Sequence, residues 1–221
     1  MLRSFRELRG FAIRATDGRI GTVSDVYFDD SGWQVRYCVI DTGQWLPGRS
    51  VLVGSRRLSV VDGNSQDLWV RLSKAEVRRS PKAETDKPVS KQRTSPLMSS
   101  LSRLVPWPGR DRFEPNSPIA SPNRHLRSCQ AVLGHRLAAI DGEIGRVDDF
   151  LIDDKAWVIR HLIVDTREHS PARSRVLVAP INISGISWPR GAVSVNMTRD
   201  AVLTAPSYQT AGANDSSPDA A

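Results

Sequence analysis

The feature that most constrains this chain is that it states one stretch twice. Gly10 to Thr42 lies over Gly134 to Thr166 at a constant offset of 124, without a gap. Between Leu8–Thr42 and Val132–Thr166, 14 of 35 aligned positions are identical, against about two expected by chance from ordinary composition. The identities include Asp17-Gly18 with Asp141-Gly142, Gly21 with Gly145, Asp25 with Asp149, Asp29-Asp30 with Asp153-Asp154, Trp33 with Trp157, and Asp41-Thr42 with Asp165-Thr166. After one inserted residue the match resumes at Val51-Leu52-Val53 over Val176-Leu177-Val178, and again at Pro81 over Pro206. A tandem duplication of one small domain follows.

Each copy has about 75–80 residues, near the size at which a single core just suffices without metal or disulfides. The two cysteines supply no framework. Cys38 falls in a predicted strand whose counterpart is Leu162, and Cys129 precedes the second copy, which fits a reducing compartment. No apolar run reaches the ~18–20 residues of a membrane span, and Met1–Glu7 has no signal-peptide core. The expectation is a soluble, cytoplasmic bacterial protein.

The net charge of +7 is unevenly spread. Residues 1–77 carry +2, residues 78–112 carry +6 and residues 113–221 carry −1. The basic character belongs to the connecting segment, so neither repeat alone reads as a nucleic-acid binder.

Along the first copy, Phe11–Ala15 is a short strand and Asp17-Gly18 a hairpin turn that tolerates positive φ. The returning strand places Ile20, Val23, Val26 and Phe28 at spacings of 3, 3 and 2. A regular strand cannot keep these on one face, so a bulge or sharp coil is predicted, eased by Gly21 and, in the second copy, Gly145. Trp33–Ile40 is a third strand, followed by short strands at Val51–Val53, Leu58–Val61 and Leu68–Leu72. Five or six short strands in about 65 residues suggest a small closed barrel. Ser73-Lys74-Ala75-Glu76 has the pattern of a capping box opening a short helix through Arg79, and Thr198 begins its counterpart.

The segment from Ser80 to His125 holds eight of the 14 prolines and many Lys, Arg and Ser residues, a composition expected to be largely disordered. Within it, Ser95-Pro96 is a helix start, and Leu97, Leu101, Leu104 and Val105 follow at helical spacing, with Pro106-Trp107 beyond. This predicts a short amphipathic helix over 96–105. Residues 209–221 are expected to form a disordered tail.

Gly10…Asp17-Gly18-x-Ile20-Gly21-x-Val23-x-Asp25-x-x-x-Asp29, with Asp41-Thr42-Gly43-x-Trp45-Leu46-x-Gly48-x-x-Val51 and Val70-x-Leu72-Ser73-x-x-x-Val77-x-x-Ser80-Pro81, resembles the PRC-barrel domain family. The second copy repeats Gly134, Asp141-Gly142, Ile144-Gly145, Val147, Asp149, Asp153 and Asp165, but has Arg167-Glu168-His169-Ser170-Pro171 where the first has Gly43–Pro47. The resemblance implies a small β-barrel used as an interaction module, as in the cytoplasmic part of the reaction-centre H subunit and in ribosome maturation factors. The expected fold is all-β. Two PRC-barrel-like domains, 1–80 and 126–208, each end in a short helix and are joined by a basic linker over 81–125.

For the aspartates two readings stand. Asp25, Asp29, Asp30, Asp148, Asp149, Asp153 and Asp154 could gather around a hard cation. Alternatively, Asp29-Asp30 and Asp153-Asp154 are turn residues, with Asp25 and Asp149 paired to Arg36 and Arg160; this second reading is preferred. Gly18, Gly21, Asp41, Gly142, Gly145 and Asp165 are read as structural positions. His125, His135, His161 and His169 are confined to the second copy or the residue just before it. No phosphate loop, nucleophile elbow or Cys-x-x-Cys is present in the sequence, so no enzyme activity, metal or cofactor is expected.

The expected function is a non-enzymatic adaptor, its partner-contact candidates being Trp45, Leu97, Leu101, Leu104 and Trp107. The alternative is a ribosome- or RNA-associated assembly factor. It would grip a polyanion through Arg78, Arg79, Lys82, Lys87, Lys91, Arg93, Arg103, Arg110 and Arg112. A further alternative is a cytoplasmic accessory of a membrane complex. The two barrels are expected to pack on each other or on another copy.

Overall fold

A computed structural model describes residues 1–43, 45–59, 66–83, 85–91, 124–170 and 175–208. The predicted helix over 96–105, the strand end at Val60-Val61 and the tail over 209–221 lie outside the described residues.

The first repeat runs β1 (Leu2–Ser4), α1 (Phe5–Leu8), β2 (Ala12–Ala15), β3 (Gly18–Asp29), β4 (Gln34–Asp41), β5 (Ser50–Gly54), β6 (Asp67–Trp69) and α2 (Lys74–Arg79). The second runs β7 (Leu126–Ser128), α3 (Cys129–Val132), β8 (Arg136–Ala139), β9 (Gly142–Asp153), β10 (Val158–Asp165), β11 (Arg175–Val178), β12 (Ile183–Ser187), β13 (Ala192–Val195) and α4 (Arg199–Leu203). The capping box at α2 forms as expected: the Ser73 hydroxyl accepts from Glu76 N–H, and the Glu76 carboxylate accepts from Ser73 N–H.

The strand order within a repeat follows from short antiparallel connections and one crossover. β5, β4, β3 and β2 pair antiparallel in turn, and β6 then joins β2 in parallel. A bridge between Leu58 and Val70 brings the chain beyond β5 back to the far edge. The second repeat copies this with β11, β10, β9 and β8, then β13 parallel to β8 and β12 on its outside. Each repeat thus curls its strands into a half-barrel.

The two halves are not separate barrels. All 13 described strands belong to one sheet, joined where Val158 of β10 pairs with Gln34 of β4. The Val35 N–H donates to the Trp157 carbonyl at 2.8 Å and the Ile159 N–H to the Trp33 carbonyl at 2.9 Å. Both tryptophans sit at the turn before their strand with positive φ, 56° and 52°, a costly conformation for a bulky side chain. Burial offsets it: Trp33 stacks on Phe28 at 5.4 Å, and Phe28 meets Phe150 of the other repeat at 5.6 Å.

The repeats also exchange their first strands. β1 lies antiparallel on β9 of the second repeat, with Arg3 opposite Ile152. Reciprocally, β7 lies on β3 of the first, with Arg127 opposite Phe28. Phe5 and Leu8 behind β1, and Cys129 and Val132 behind β7, are all fully buried. A fully buried Phe or Leu contributes ~1.5–3 kcal/mol, against ~1 kcal/mol for a backbone hydrogen bond. The short helices therefore anchor the arms, and the strands set their register.

The expected bulge is present, at Ser24 in β3 and at Asp148 in β9, where the pairing with the next strand slips by one residue. The irregular apolar spacing has a second cause. Tyr27, between Val26 and Phe28, is also buried, in a small cluster with Val39, Leu52, Ala83 and Leu126 on the opposite face. That cluster is roofed by residues assigned above to the linker. The Pro81 carbonyl accepts from Leu52 N–H, and Ala83 N–H donates to Ser50. Pro81-Lys82-Ala83 thus covers the outer edge of β5. Pro206 does the same for β11, accepting from Leu177 N–H.

Candidate functional site

The joint between the repeats gathers most of the duplicated polar residues. In the first acceptor, Asp25 takes the Ser128 hydroxyl at 2.6 Å, the Gln130 N–H at 3.1 Å and its own neighbour Val26 N–H at 2.8 Å. In the second, Asp149 takes the Arg6 N–H at 3.2 Å, the Phe150 N–H at 2.8 Å and the Ser4 hydroxyl. Each serine hydroxyl also caps its own short helix, accepting from Glu7 N–H or Ala131 N–H. One hydroxyl therefore ties the helix start to a carboxylate of the other repeat.

Two ion pairs flank these contacts. Arg3 Nε donates to Asp154 Oδ2 at 3.1 Å with side chains only 5 % and 1 % exposed. Arg127 Nε donates to Asp30 Oδ2 at 2.5 Å, with His125 Nδ1 on Asp30 Oδ1 at 2.8 Å. Asp148 adds bonds to Arg6 at 2.7 Å and Arg175 at 2.9 Å. Its counterpart in the first repeat is Ser24, which donates to the Val39 carbonyl instead.

This geometry corrects two expectations. Asp25 and Asp149 do not pair with Arg36 and Arg160. The bulge one residue earlier aims both carboxylates into the joint, while Arg36 and Arg160 stay exposed and face Asp29 at 3.8 Å and Asp153 at 3.0 Å. Of the two aspartate doublets, Asp29 and Asp153 are turn residues, accepting from Ser31 N–H and Lys155 N–H. Asp30 and Asp154 are not; they receive the exchanged arginines. The missed signal is short: Leu2-Arg3-Ser4 recurs as Leu126-Arg127-Ser128 at the same offset of 124, upstream of the stretch aligned above.

Burial sets the protonation behaviour of the joint. It pushes the Asp25 and Asp149 carboxyls above their ordinary range, partly offset by the hydroxyl and N–H donors. Burial, with the Asp25 charge nearby, raises the Cys38 thiol to about 12. Burial beside both aspartates drives Cys129 well above its usual value. Among the described residues no group of three or more His, Cys, Asp or Glu side chains is placed to hold a metal ion.

The structural glycines hold close approaches. A Cβ on Gly21 would sit 2.0 Å from the Asp41 carbonyl oxygen, and one on Gly145 2.2 Å from that of Asp165. Gly18 and Gly142 occupy the hairpin turns with φ of 128° and 138°. Asp41 accepts from Gly43 N–H and Asp165 from Arg167 N–H, closing equivalent turns.

Beside each close approach lies an open groove. In the first repeat it is lined by Arg19, Thr22, Gly43 and Trp45, among others; in the second by Arg146, Arg167 and Glu168. Trp45 is half-buried against the core, with the Arg78 guanidinium 5.9 Å above its ring. Arg78, Arg79, Lys82, Lys87 and Lys91 are exposed, and Lys91 reaches the Tyr27 hydroxyl at 3.2 Å. Leu97, Leu101, Leu104, Trp107, Arg93, Arg103, Arg110 and Arg112 lie outside the described residues.

The fold is thus that of one curled β sheet in two similar halves, whose shared polar residues serve the joint between them. The family model of the PRC-barrel domain matches residues 2–76. The match runs from the exchanged arm to the first turn of α2, and this family is a protein-interaction type of module. None of the curated proteins matches the chain. Among the described residues no helix is long and apolar enough to cross a membrane.

Proposed function

We propose that the chain is a non-enzymatic adaptor built from two PRC-barrel-like repeats, holding two different binding surfaces at a fixed separation. The observation that carries this reading is the divergence of the paired grooves. At equivalent places, one repeat offers Trp45 with Arg78, a rigid aromatic of the kind that anchors interfaces, and the other offers Arg167 and Glu168. Linking two different surfaces in one rigid unit raises the effective concentration of the second partner once the first is bound. The residues over 126–208 act as the second PRC-barrel-like repeat, and the connector between them spans 92–123, since 81–91 covers the first repeat.

The test is crosslinked affinity purification of the tagged chain beside Trp45→Ala, Arg167→Glu and a deletion of 92–123. The reading expects a discrete protein set in which Trp45→Ala and Arg167→Glu each remove a different member. Recovery of the same set by all variants would contradict it.

A second reading is favoured by one contact. Arg78 over Trp45, with Arg79, Lys82, Lys87 and Lys91 close by in sequence, is the combination of cation and aromatic used to hold single-stranded nucleic acid. An RNA- or ribosome-associated role then predicts binding that weakens steeply with salt and ribosomal proteins recovered only when 92–123 is present.

A further inference from the structure

We propose that the joint accepts a second copy of this chain: repeat one of one molecule closes on repeat two of another through the same arms, giving a reciprocally exchanged dimer. Both arms carry Leu-Arg-Ser, at Leu2–Ser4 and Leu126–Ser128, and both acceptors carry the same receiving set, Asp25 with Asp30 and Asp149 with Asp154. Each repeat is complete only when its long strand receives the arm of another repeat. Nothing in these contacts distinguishes a repeat on the same chain from one on a different chain.

The covalent link does not enforce the closed arrangement either. Cys38 and Cys129 are free thiols, so the backbone alone connects the repeats. The 32 residues over 92–123 can reach about 100 Å when extended. Exchange therefore swaps like contacts for like contacts. The closed monomer is favoured by the effective concentration of its tethered halves, about millimolar for tethered modules in general.

The side chains also say which halves meet. Arg6 pairs with Asp148, which is held in turn by Arg175. Against a second copy of repeat one, Arg6 would meet Ser24 at the place of Asp148. Repeat one thus prefers repeat two, and the exchanged dimer has two joints of the kind seen within the monomer.

The test uses two full-length variants, R3D/R127D and D30R/D154R. Each alone sets like charges against each other at both exchanged ion pairs, Arg3–Asp154 and Arg127–Asp30, whereas the mixture makes these two pairs complementary between chains. With one variant isotopically heavy, native mass spectrometry after co-incubation is expected to show dimers of one heavy and one light chain. These should exceed by about tenfold the dimers of either variant alone, in line with the loss of the intramolecular advantage. The quadruple variant R3D/R127D/D30R/D154R, complementary at both swapped pairs within one chain, should be a folded monomer at low concentration. A mixture without mixed dimers, beside a folded quadruple variant, overturns the proposal. If the quadruple variant does not fold, wild-type heavy and light chains refolded together at millimolar concentration decide instead: mixed dimers support the proposal, and monomers alone overturn it.

Discussion

Arg3 places its guanidinium against the carboxylate of Asp154, 151 residues further along the chain, with both groups almost entirely removed from water. The same contact recurs in the opposite sense between Arg127 and Asp30. These two pairs, with the strands that carry them, make the repeats a single structure. Removing Arg3 leaves the buried Asp154 carboxylate with the exposed Met1 ammonium, 2.8 Å away, as a remaining counter-charge. Arg3→Ala is therefore expected to cost about 2–3 kcal/mol, less than a complete loss of pairing. Arg127→Ala should cost less, about 1–2 kcal/mol, since Arg127 and Asp30 are each more than a tenth exposed and water can partly replace the partner. Urea unfolding midpoints of the two variants test the ranking.

The glycine positions separate steric conflict from backbone strain. Gly21→Ala adds a Cβ that the Asp41 carbonyl already excludes at 2.0 Å, and the excluding atom is backbone. Gly10 also has positive φ, 96°, but nothing lies within 4 Å of its would-be Cβ. Gly10→Ala should thus cost about 1–2 kcal/mol from backbone strain alone, and Gly21→Ala more, about 3 kcal/mol or above, from strain and overlap together. Equal losses of thermal stability would refute the close-approach account.

Two sets of carboxylates give pH dependence of opposite sign. Asp25 and Asp149 have folded pKa values raised by burial. The folded state therefore binds protons more readily there, and these groups add stability as pH falls through their raised values towards the ordinary carboxylate range. Asp29, Asp153 and Asp165 are depressed overall. The Ser31 hydroxyl and N–H outweigh desolvation at Asp29; the Ala156 N–H leads at Asp153 and the Arg167 side chain at Asp165. Their contribution is present above the ordinary range and is lost as pH falls below it. Stability should pass through a maximum on the acid side of neutrality. Asp25→Asn with Asp149→Asn, scanned by thermal melts across pH, should flatten the neutral limb and leave the acid limb in place.

Cys129 reports on the joint. It is fully buried under β7, and its thiol is held well above its usual pKa, so the folded chain should resist alkylation at this site. Arg127→Ala, by loosening the arm, is expected to speed labelling of Cys129 in a Cys38→Ser background. An unchanged rate would mean that the arm does not cover it.

Much of the architecture was legible because the repeat is local. The hairpins at Asp17-Gly18 and Asp141-Gly142, the bulged long strands and the capping box at Ser73 are all set by neighbours in sequence. The joint was not legible for the opposite reason. Periodicity assigns Tyr27 no buried face, because what buries it, Leu126 and Ala83, arrives from far along the chain. Asp25 seemed to suit Arg36 on the next strand, yet the bulge turns it towards Ser128 and Gln130. The repeated Leu-Arg-Ser triplet was the one sequence signal for the exchange, and three residues are too few to stand out by composition or pattern.

The most direct measurement is the set of cross-strand NOEs from the two arms, recorded on dilute, monomeric protein. Reciprocal exchange predicts contacts from Arg3 to Ile152 and from Arg127 to Phe28. Contacts from Arg3 to Phe28 and from Arg127 to Ile152 would place each arm on its own repeat and contradict the account.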